Sequence, residues 1–121
     1  MTKIPNSKHY DLEDRTFQFA RNVAMFCKKL PKIAVNFEYI KQGIRASGSV
    51  GANYIEDNES LSKKDFSMRI KICRKEAKES AYWLRLIIET NESNYRKEAG
   101  ELFEEAIELK KILSSILQKS K

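Results

Sequence analysis

Glycine and proline are scarce in this chain of 121 residues, with four of the first and two of the second. That leaves little room for the turns of a β-fold. Histidine occurs once, at His9, in a polar lead-in, so no His-based catalytic constellation can be assembled around a paired ligand or base. The Glu-x-x-His pair of di-iron bundles is missing too. Gly48 and Gly51 lie inside a helical pattern with no Gly-Lys-Ser/Thr, which excludes a phosphate-cradling loop. The only cysteines, Cys27 and Cys73, lack metal spacing. Both fall on apolar helix faces and read as small buried thiols, ahead of a disulfide or a metal site. No run of 18 apolar residues exists, which argues against a membrane span. Residues 1–10 are polar, carry Pro5 and have no signal-peptide core. These absences predict a soluble, cytoplasmic protein that is not an enzyme and uses no cofactor or metal, with residues 1–10 as a flexible lead-in.

What is present is helical. Hydrophobic residues make up 41% of the chain and charged residues 33%, the balance of long amphipathic helices with solvated outer faces. Residues 11–121 read as one all-α domain, an up-down-up-down antiparallel four-helix bundle. The stretch from Ser62 to Glu89 organises it. Phe66, Ile70, Cys73, Ala77, Ser80, Leu84 and Ile87 recur in steps of four and three, which places them on one helix face. Ser62 is a fitting N-cap, with Asp65 three residues on.

Three more helices follow from the same periodicity. The first begins near Asp11 or Leu12 and stops before Pro31. It carries two apolar stripes. Phe17, Ala20, Ala24 and Cys27 are read as the inner face, and Phe19, Val23, Phe26 and Leu30 as a second one. So wide a surface means either a deeply buried helix or a contact with another subunit. The second helix, from about Ala34 or Asn36 to Asp57, carries the stripe Phe37, Ile40, Ile44, Ser47, Gly51, Tyr54. Its glycines each cost about 1 kcal/mol relative to alanine. Close packing at Ala46, Gly48, Gly51 and Ala52 would offset this, and a functional kink is the alternative. The fourth helix, from about Tyr95 to Gln118, has the stripe Tyr95, Ala99, Leu102, Ala106, Leu109, Leu113, Ile116. Its glutamates Glu98, Glu101, Glu104, Glu105 and Glu108 sit to one side and read as a solvated or salt-bridging face.

Charge gives the only functional signal. The net charge is +6, and residues 61–90 hold eight basic and four acidic side chains. On the third helix Lys64, Lys71, Arg74, Lys75, Lys78 and Arg85 fall within an arc of roughly 100°. Asp65, Glu76 and Glu79 lie on the other flank with Met68, Ile72, Trp83 and Leu86. A cationic ridge about 30 Å long could follow a phosphate backbone. A merely solvated basic face is the other reading.

Three segments carry a family resemblance: Arg45-Ala-Ser-Gly-Ser-Val-Gly-Ala-Asn-Tyr-Ile-Glu56, then Ser62-Lys-Lys-Asp-Phe66, then Lys75-Glu-Ala-Lys-Glu-Ser-Ala-Tyr-Trp-Leu84. Together they resemble the 23S rRNA intervening-sequence proteins over about residues 10 to 118. The resemblance implies the same four-helix bundle and assembly into rings, typically homopentamers. Some members are encoded inside excised segments of 23S rRNA. A related group serves as accessory proteins of diversity-generating retroelements, binding reverse transcriptase and nucleic acid through basic surfaces. Two expectations follow. One is a ring-forming adaptor for RNA or DNA with the six cations as its contacts. The other is a protein-binding scaffold or accessory subunit with no nucleic-acid contact.

Overall fold

Ser62 opens the longest helix as its sequence position suggests: its hydroxyl accepts a hydrogen bond from the Asp65 backbone N–H at 3.1 Å, satisfying one of the free donors of the first turn. The computed structural model describes residues 11–57 and 62–120. The lead-in with His9 and residues 58–61 lie outside the described residues. Among the described residues the order is α1 (Leu12–Cys27), α2 (Ala34–Asp57), α3 (Lys63–Thr90), a short 3-10 turn (Ser93–Tyr95) and α4 (Arg96–Lys119), with no strand.

The elements begin and end for local reasons. After Cys27 the chain tightens: Lys29 N–H donates to Phe26 and Leu30 N–H to Cys27. This tightening turns buried Leu30 back into the core before Pro31 forbids more helix. At the same corner, Asn36 and Asn91 exchange side-chain amide bonds at 2.9 and 3.0 Å, and Asn36 also donates to the Pro31 carbonyl. Asn36 is fully buried, so this pairing meets its amide's hydrogen-bonding demand. It ties the start of α2 to the end of α3.

Helix α3 packs against both α2 and α4, and α1 closes the bundle against α2 and, less extensively, α4. The cross-helix bonds run antiparallel. Asn36, Arg45 and Glu56 of α2 meet Asn91, Glu79 and Arg69. Arg15 of α1 and Lys29 of the turn after it meet Glu105 and Glu98 of α4. These pairings are consistent with the up-down-up-down order.

The expected stripe of α3 is the core stripe. Ile70, Cys73, Ala77, Ser80, Leu84 and Ile87 are buried, and Phe66 packs against them half-exposed. On α4, Ala99, Leu102, Ala106, Leu109 and Leu113 are buried as expected, with Leu117 taking the last core place in front of Ile116. Both cysteines are buried, as expected.

The first two helices need correction. Along α1 and the turn after it the core is formed by Phe19, Val23, Phe26 and Leu30, the stripe read as second, together with Leu12; of the supposed inner face only Cys27 is buried, and Phe17 is 61% exposed. On α2 the core runs through Ala46, Ser47, Val50 and Gly51, while Phe37 and Ile44 of the expected stripe face outward. Close approach is real at Gly51 alone of the two expected glycines. A Cβ there would lie 3.1 Å from the Thr16 hydroxyl, whereas one on Gly48 would meet nothing within 4 Å. Ala52 is exposed as well. The helix is continuous through both glycines.

Candidate nucleic-acid interface

The cationic ridge exists because α2 and α4 leave one side of α3 uncovered. Lys64, Lys71, Lys75, Lys78 and Arg85 are exposed and Arg74 is half-buried. Their segregation from the carboxylates has a structural cause. Arg45 of α2 reaches across to the other flank, where its Nη2 lies 3.0 Å from Glu79 Oε1 and 3.5 Å from Glu76 Oε1. Glu76 is only 7% exposed, so the arginine offsets a carboxylate that burial would otherwise penalise. Of the six ridge cations, Lys75 alone has an ion pair within 4.0 Å among the described residues, a long one at 3.9 Å to Glu79.

The ridge is joined by a second helix. Lys71, Arg74, Lys75 and Lys78 line an open groove of about 400 Å³ with Lys110 and Ser114 of α4. Five positive side chains face this groove and no carboxylate lines it. Such a cluster repels itself unless an anion sits among its members. The acidic side of α4 lies elsewhere. Glu105 takes a bidentate pair from Arg15 at 2.7 and 2.8 Å, which raises the Arg15 pKa, mainly through the hydrogen bond itself. Glu98 takes Lys29 at 2.9 Å. Glu101 takes Lys97, raising that lysine's pKa, and Glu108 lies 3.7 Å from Lys111. The salt-bridging expectation for α4 therefore holds within one chain, and these acids do not quench the ridge. Among the described residues no three of His, Cys, Asp and Glu gather as metal ligands, and no helix is long and apolar enough to cross a membrane.

The model of the 23S rRNA-intervening sequence protein family matches residues 8–115. The chain belongs to that family. A crystal structure from the S23 ribosomal protein family of Bacteroides thetaiotaomicron, described there as a protein of unknown function, superposes with a TM-score of 0.78 at 33% identity. The match covers 87% of this chain and 96% of that one. No curated protein matches.

Two features of this intervening-sequence family member are not visible in the helical periodicity. The first is Lys110 with Ser114, whose own helix pattern gives no hint that they border α3. The second is aromatic. Tyr82 is 57% exposed on the ridge side of α3, four residues from Lys78 and three from Arg85, steps that keep all three on one face. Its ring meets Trp83 edge-on at 5.2 Å, and Trp83 leans on Tyr39 of α2 at 5.9 Å. Trp83 thus packs against α2 of the same chain. The signal that could place Tyr82 is its register among the lysines.

Helices α1 and α2 leave several large apolar side chains exposed. Gly51 and Thr16 mark the α1–α2 seam. Ile44, Gly48 and Ile55 share the Gly51 stripe at helical spacing and are exposed. Phe17 follows Thr16 directly, with Ala20 and Ala24 continuing its stripe. Phe17, Phe37, Ile44 and Ile55 are thus large apolar side chains left exposed on α1 and α2, with small residues between them in sequence.

Proposed function

We propose that this protein is a non-enzymatic nucleic-acid-binding adaptor that works as a ring-shaped homo-oligomer. The supporting observation is the groove in which four α3 cations and Lys110 converge without a carboxylate. Lys64 and Arg85 extend the same charge toward the two ends of α3. Phosphates placed along this line would replace the counterions that otherwise condense there. The lysines and Arg74 give affinity and register but read no base sequence by themselves.

Assembly is carried by the other face. A second copy packed against Phe17, Phe37 and Ile44 would remove from water side chains that this chain alone leaves exposed. A ring that joins copies by their α1–α2 faces leaves the α3 ridges outward and repeated, so that weak phosphate contacts add along one strand. The family membership supports both parts and selects neither RNA nor DNA.

The test is binding of a labelled RNA and a labelled DNA at several salt concentrations. A steep fall of affinity with salt, abolished when Lys71, Arg74 and Lys78 become Glu, is the expected result. Absent or salt-insensitive binding would overturn it. The exposed apolar face would then favour a protein-binding scaffold, for example an accessory subunit of a reverse transcriptase.

A further inference from the structure

Beside the phosphate groove lies a second depression of about 530 Å³, lined by Lys75, Lys78, Glu79, Tyr82 and Trp83. It shares Lys75 and Lys78 with its neighbour, so the two form one continuous track along α3. Its wall is aromatic. Tyr82 stands out from the surface, propped edge-on by Trp83, which is itself held by Tyr39. This support fixes the direction of the Tyr82 ring while leaving it more than half exposed. Glu79 is the one acid in the depression, and its charge is met by Arg45 at 3.0 Å and Lys75 at 3.9 Å. The depression therefore carries an open aromatic ring, two lysines at the rim and a compensated carboxylate.

We propose that this depression takes an unpaired nucleobase against Tyr82, with the adjoining phosphates on Lys75 and Lys78, so that the ridge prefers single-stranded nucleic acid to duplex. The inference rests on the phosphate-binding reading above and narrows it. A duplex presents phosphates to the lysines but keeps its bases stacked on one another, so Tyr82 gains nothing from it. A single strand offers both. Every base has an aromatic face, so the contact is tolerant of sequence.

The chain's only tryptophan, Trp83, touches Tyr82 and reports the event. Protein is titrated at fixed moderate salt with twelve-nucleotide oligo-uridine and oligo-thymidine strands and with RNA and DNA duplexes of the same length. Single strands are expected to bind about tenfold or more tighter than duplexes and to change the Trp83 emission. Either strand bound in preference to its duplex supports the proposal, and the pair shows which sugar is preferred. Tyr82→Ala should weaken single-strand binding roughly 5- to 150-fold, the range of one stacking contact, without altering duplex binding or the salt dependence. Tyr82→Phe should keep wild-type behaviour. Duplexes bound as tightly as strands, or a Tyr82→Ala variant that binds strands like the parent, overturn the proposal but leave the phosphate ridge intact. A protein that binds none of the four probes overturns both.

Discussion

The outer face of the α1–α2 hairpin and the outer face of the α3–α4 pair belong to one small bundle and differ in almost every respect. The first carries Phe17, Phe37, Ile44 and Ile55 with small residues between them. The second carries five cations around one groove and an exposed tyrosine. Both are partly uncovered, yet water treats them oppositely. An exposed lysine is satisfied by solvent, whereas an exposed phenylalanine costs free energy in proportion to its area. The contrast divides the surface into a side with a standing reason to meet another protein and a side with a standing reason to meet a polyanion.

The largest effect should come from the cationic side. A triple variant, Lys71→Glu, Arg74→Glu and Lys78→Glu, is expected to weaken nucleic-acid binding by about 100-fold or more. Its salt dependence should flatten by about one unit of slope for each phosphate that no longer meets a cation. These residues lie outside the core, so helicity and the unfolding midpoint should stay near the parent's. Loss of the fold instead would erase the distinction between the two faces.

On the apolar side, Phe17→Glu with Ile44→Glu should leave only monomers where the parent forms the proposed ring. Light scattering would read the mass, and circular dichroism should be unchanged because both positions are exposed in the single chain. Per subunit, phosphate binding should survive, and only the gain from repetition should disappear. An oligomer that persists would show that copies meet elsewhere.

The two faces are unequally legible in the sequence. The ridge can be read from α3 alone, because charge avoids the core and a helical wheel places it correctly wherever the partners sit. The apolar face cannot. Phe17, Ala20, Ala24 and Phe19, Val23, Phe26 are equally good stripes, and hydrophobicity does not record whether a residue meets its own core or another copy. Periodicity therefore assigns the inner face of α1 to the wrong stripe. On α2, Phe37 and Ile44 outweigh Ala46 and Val50 by size, though the small residues are the ones that let α2 sit close to its neighbours. On helices α3 and α4 periodicity alone finds the core stripe, except that Leu117 replaces Ile116 at the end of α4. Lys110 joins the groove only through tertiary packing, which its own helix does not encode. Gly48 and Gly51 look alike in sequence because neither has a side chain to reveal its face.

That pair offers a sharper cut between seam and surface. Gly51→Val should destabilise the chain by about 1–3 kcal/mol, as overpacking does, because its Cβ would press within 3.1 Å of the Thr16 hydroxyl and 3.7 Å of that residue's backbone. Thr16 cannot swing away cheaply, being buried and bonded to the Glu13 carbonyl at 3.0 Å. Gly48→Ala should instead stabilise it by about 1 kcal/mol, the helix-propensity difference, since its Cβ meets open space. Urea unfolding of the two variants checks both signs. Should Gly48→Ala raise chain stability yet loosen the oligomer, Gly48 would be a point of contact between copies.

The smallest effect concerns Cys27, which ends the Phe17, Ala20, Ala24 stripe and is its one member inside the core. Burial pushes its thiol pKa up from 9.0 to about 11, because a thiolate there would be desolvated. The folded chain thus holds this proton to higher pH than the unfolded chain does. Its contribution to stability is complete below about pH 9, declines as pH rises from about 9 to about 11, and is flat beyond. Lysines and tyrosines titrate in the same window, so the parent must be compared with Cys27→Ala. The variant should be less stable at neutral pH through poorer packing, and the gap between the two should narrow between about pH 9 and about pH 11. A gap independent of pH would place Cys27 in water, on the outer side of the stripe with Phe17, and would move the boundary between core and apolar face one helical turn deeper into α1.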